Sequence, residues 1–84
     1  MAIIVRTFAE FTKAQPARQS PAVARRLWDI ACGKFVELCG QQRIEAHANQ
    51  DSAWLTEDAD ILVFQRAQRF WQAATDYAKR LPLG

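Results

Sequence analysis

Between Thr56 and Leu81 the apolar residues Val63, Ala67, Phe70, Ala74, Tyr77 and Leu81 recur at spacings of four and three. Phe64, Trp71 and Ala78 sit one place further on. At 3.6 residues per turn this draws one apolar stripe along a helix. Gln65, Arg66, Gln68, Arg69, Gln72, Asp76, Lys79 and Arg80 take the other side. Thr56 is placed to cap the first turn, where a hydroxyl accepts from an otherwise unpaired amide. Glu57, Asp58 and Asp60 near the start, and Lys79 and Arg80 near the end, suit the helix dipole. Pro82 and Gly84 stop the helix. Such a rod is about 36 Å long, against about 30 Å for the diameter of a compact chain of this size. Either the domain is elongated or one end of the rod projects toward another chain.

A second long pattern runs from Pro21 to about Cys39. Ser20 is its cap and Pro21 its first helical residue. Val23, Ala24, Leu27, Trp28, Ile30, Ala31, Cys32, Phe35, Val36, Leu38 and Cys39 cover most of its circumference. So wide an apolar arc predicts a central helix touched from several sides. Gly33 interrupts it, with close approach of a neighbouring backbone as one reason for a glycine there. Gly40 is read as the C-terminal cap residue. Beyond it a break and a short third helix over 41–48 are expected.

The remaining pieces are short. Ala2-Ile3-Ile4-Val5 is extended by propensity, and without a clear partner it is expected to lie on the bundle as an apolar strap, a two-stranded ribbon being the lesser alternative. Thr7 and Glu10 have capping-box spacing, which predicts a short helix from Phe8 to Gln15, ended by Pro16. Residues 16–20 form a polar linker, and Asn49-Gln50-Asp51-Ser52 a turn. Trp54 and Leu55 fall in the connector to the last helix. The expected fold is all-α: one domain, residues 1–84, built as a small helical bundle of two long and two short helices with an extended N-terminal strap.

Half of the 84 residues are hydrophobic, enough for a core and against global disorder. The apolar runs Ala2–Val5 and Ile61–Phe64 are far too short to span a membrane. The first residues lack the long apolar region of a signal peptide, so a soluble cytoplasmic protein is expected. Cys32 and Cys39 are seven apart, about 10.5 Å along a helix, too far for a disulfide, and are read as free buried thiols. The net charge is only +2, but its layout is uneven. Seven basic and three acidic residues precede Ile44, five acidic and no Lys or Arg lie from Glu45 to Asp60, and four basic and one acidic follow. This makes the molecule dipolar.

No catalytic set is visible. His47 is the only histidine, and Glu45 and Asp51 are near it only in sequence. Cys32, Cys39 and His47 are spaced one or two helical turns apart, unlike zinc ligands. Asp58 and Asp60 point apart around a helix and are read as dipole partners. There is no phosphate loop or nucleophile elbow. No enzyme activity, cofactor or metal is expected. Tryptophan and arginine are favoured anchors at interfaces, so a non-enzymatic adaptor or inhibitor docking on a protein partner is the leading expectation, through Trp54, Leu62, Arg66 and Arg69. A second copy of the chain is one candidate partner. Ile61-Leu62-Val63-Phe64 covers the full circumference of its turn, so either it faces outward or the N-terminal strap covers it. Nucleic-acid binding through Arg66, Arg69, Lys79 and Arg80 is the alternative, weakened by the modest charge and by Asp76 within the stripe.

Overall fold

The apolar run near the N-terminus finds its partner in the far half of the chain, where Ile3 pairs with Leu55 and Ile4 with Trp54. The computed structural model describes residues 2–13, 20–56 and 59–81. Along these run β1 (Ile3–Thr7), α1 (Phe8–Lys13), α2 (Pro21–Gln41), β2 (Ala46–Ala48), β3 (Ser52–Leu55) and α3 (Ile61–Arg80). The strands form one antiparallel sheet in the order β1-β3-β2. The fold is therefore mixed α/β, and the all-α bundle expected from the sequence is corrected. The N-terminal strap is a strand, and the third helix expected over 41–48 is replaced by a turn and β2.

The correction has a local cause at the end of α2. The helix passes through Gly40 and ends at Gln41. The residue that turns the chain is Arg43, with φ of 60°. Its amide donates to the Gly40 carbonyl at 3.0 Å, and the Ile44 amide donates to that of Cys39 at 2.9 Å. This pair of bonds is the Schellman arrangement, and the buried Ile44 closes it against the last turn. It sends residues 44–48 back extended instead of helical. A side chain in the left-handed region is strained by about 1–2 kcal/mol, which glycine avoids. Arg43→Gly is thus expected to stabilise the domain by about 1 kcal/mol, once the greater freedom of the unfolded glycine chain is subtracted. A urea titration showing an unchanged or lower midpoint would rule this out.

Other local signals behave as their chemistry demands. The Thr7 hydroxyl accepts from the Glu10 amide at 3.1 Å and donates to the Glu10 carboxylate at 3.0 Å. The Ser20 hydroxyl accepts from the Val23 amide at 3.2 Å. At the last helix the cap is Asp60, not Thr56: its carboxylate accepts from the Val63 amide at 2.9 Å. Thr56 instead follows β3 directly. Asn49 accepts from the amides of Asp51 and Ser52 through its side chain, closing the β2–β3 turn. A Cβ at Gly33 would meet nothing within 4 Å, so no neighbouring backbone explains that glycine. The expected Gln15 end of the first helix, Pro16 and the linker to Gln19, Glu57, Asp58, Pro82 and Gly84 lie outside the described residues.

One layer holds the sheet and the other holds α2 and α3, which run antiparallel. Gln42 meets Arg66 at one end of the pair, and Lys34 sits over the Tyr77 ring nearer the other. Ala67, Ala74 and Ala78 are buried on α3, and such small side chains allow close approach to α2. Into the remaining space go Phe11, Trp28, Phe35 and Trp71, with ring centroids 5.2–6.3 Å apart. Val5, Ala46, Ala53 and Leu55 close the core from the sheet. The molecule measures 38 × 23 × 17 Å, so the long final helix is housed in an elongated domain.

Candidate functional site

The period-two alternation of β3 sends Ala53 and Leu55 into the core and Trp54 to the opposite face. Register places Ile4 on one side of Trp54 and His47 on the other. A row of Ile4, Trp54 and His47 thus crosses the sheet on the face turned away from α2 and α3. The His47 and Trp54 rings stack, with centroids 5.8 Å apart and 28° between planes. His47 Nε2 lies 3.6 Å from a Glu45 carboxylate oxygen, an ion pair only when the imidazole is protonated. An antiparallel sheet covered on one face ordinarily carries polar side chains on the other. Here Ile4 is half exposed and beside a tryptophan.

On the other face of β1, Ile3 meets the start of α3. Ile3, Ala59, Asp60, Ile61 and Phe64 wall an open hollow of about 240 Å³ with an almost wholly apolar lining. The Asp60 carboxylate is engaged in capping α3. Beside the hollow Ile61 and Leu62 are 67% and 66% exposed, the barest large apolar residues among those described. So the Ile61–Phe64 turn is neither sealed by β1 nor buried all round: Ile61 and Leu62 face outward, while Val63 and Phe64 pack against the core.

Trp54 lies on the sheet, whereas Leu62, Arg66 and Arg69 share the outward face of α3, directly opposite its buried stripe. The hollow is lined by Ile3, which pairs with the inward Leu55, whereas Ile4 pairs with Trp54 on the other face of the strand. Arg66 donates to the Gln42 side chain at 3.0 Å, which leans it toward the end of α2. Of the four basic residues in the nucleic-acid alternative, Arg66, Arg69 and Arg80 share that outward face. Lys79 is turned about 100° away from Arg80, into a cleft with Arg6 and Glu10. Asp76, bonded to Gln72 at 3.1 Å, stands between Arg69 and Arg80 on the helix. Sequence reasoning missed Ile4 and gave Ile61 no separate role. Ile4 becomes legible only once β1 is known to be a strand covered on one side.

Neither cysteine offers a nucleophile. Burial pushes the Cys32 thiol up to about 12, with nearby Asp29 adding to the rise and Arg25 opposing it. Burial likewise lifts Cys39 to about 11. At neutral pH both are protonated, and the thiolate is the reactive form. Among the described residues no three His, Cys, Asp or Glu side chains gather as a metal site requires, and no helix is long and apolar enough to cross a membrane. Comparison of the chain with protein-family models, with curated proteins and with solved structures returned no match.

Proposed function

We propose that this chain is a non-enzymatic interaction module, an adaptor or inhibitor, that docks a protein partner on the apolar surface made by the hollow, Ile61 and Leu62. The observation that carries this reading is the pair of two-thirds-exposed residues, Ile61 and Leu62, beside a hollow walled by Ile3 and Phe64. Interfaces that bind well combine an apolar centre with a polar rim. This surface supplies the centre, and Arg66 and Arg69 supply a cationic rim one and two turns along α3. The matching partner inserts one apolar side chain into the hollow and sets carboxylates opposite the arginines. Free buried thiols favour the cytoplasm as its setting.

The test compares capture by the wild-type chain with capture by an Ile61→Ser, Leu62→Ser double variant. Both residues are exposed, so the fold, checked by circular dichroism, is expected to survive. A protein held by the wild type and by a Glu37→Ala control should be bound at least about tenfold more weakly by the double variant. Equal capture by all three removes this surface from consideration. Light scattering that finds twice the chain mass at high concentration only when Ile61 and Leu62 are intact would make the occupant a second copy. A mobility shift with nucleic acid that weakens steeply with salt and needs Arg66 and Arg69 would favour the alternative instead.

A further inference from the structure

We draw no further inference here: the strongest candidate, the open face of the sheet where Ile4, Trp54 and His47 stand in a row, is an unpartnered patch for which nothing in the structure shows what covers it.

Discussion

Trp28→Ala is expected to cost the fold about 3–5 kcal/mol, the largest loss of any single truncation in the core. Trp28 is completely buried, and its ring lies 5.2 Å from Trp71, 5.5 Å from Phe11 and 5.6 Å from Phe8. Its indole N–H also donates to the Asn49 carbonyl at 3.0 Å, tying α2 to the β2–β3 turn. Truncating a core tryptophan costs about 3–5 kcal/mol. Domains are stable by about 0.05–0.15 kcal/mol per residue, which for a chain this short is only about 4–13 kcal/mol in all. The loss is therefore between about a quarter and the whole of the stability. Trp28→Phe should be milder, since it keeps a ring and gives up chiefly the bond to Asn49, worth about 1 kcal/mol. Thermal melts of the three proteins decide. An alanine variant melting within a few degrees of wild type would show that this ring is not the centre of the core.

Raising the pH above 9 should weaken the fold through its two thiols. In the unfolded chain each titrates near its ordinary value of 9.0, whereas in the folded chain Cys32 holds its proton to about 12 and Cys39 to about 11. Over that window the folded state binds more protons than the unfolded state, so stability falls as pH rises. The contribution is whole below pH 9 and is lost progressively toward pH 11 and 12. The slope approaches about 1.4 kcal/mol per pH unit for each thiol. Tyrosine and lysine titrate in the same range, so the test is a comparison. The urea midpoint should fall more steeply with pH for the wild type than for Cys32→Ala, Cys39→Ala, whatever their difference at neutral pH. Parallel slopes would mean that the thiols do not contribute.

The same residues show where sequence reasoning succeeds. Trp28, Phe35, Cys32 and Cys39 fall on one arc of a strongly apolar helix, and all four are buried. Ser20 and Thr7 act as caps because the bonds they make are three residues long. Asp60 and Thr56 are both competent caps, and choosing between them needs the knowledge that Thr56 follows directly from a strand. Ala46-His47-Ala48 has no marked β propensity. It becomes a strand because Arg43 turns the chain and Ser52–Leu55 offers an edge. The proposed docking surface has the same character. Leu62, Arg66 and Arg69 are legible as an outward helical face, but the hollow beside Ile61 depends on Ile3 of a distant strand, which no local spacing encodes.

The sequence by itself determined the long helices, the starting signals of the second and of the short first helix, the inward placing of Trp28, Phe35 and Trp71 though not of Tyr77, and the burial of both cysteines. Each rests on bonds or side-chain neighbours within about four residues along the chain, so the pattern contains its own cause. Only the tertiary structure decided that the N-terminal run is a strand, that Arg6 turns inward at a bulge, and that Ile3 and Phe64 wall a hollow beside the bare Ile61 and Leu62. Those features rest on pairings between distant segments, such as Ile3 with Leu55. A strand's hydrogen bonds belong to its neighbour, and that neighbour is chosen by the fold as a whole.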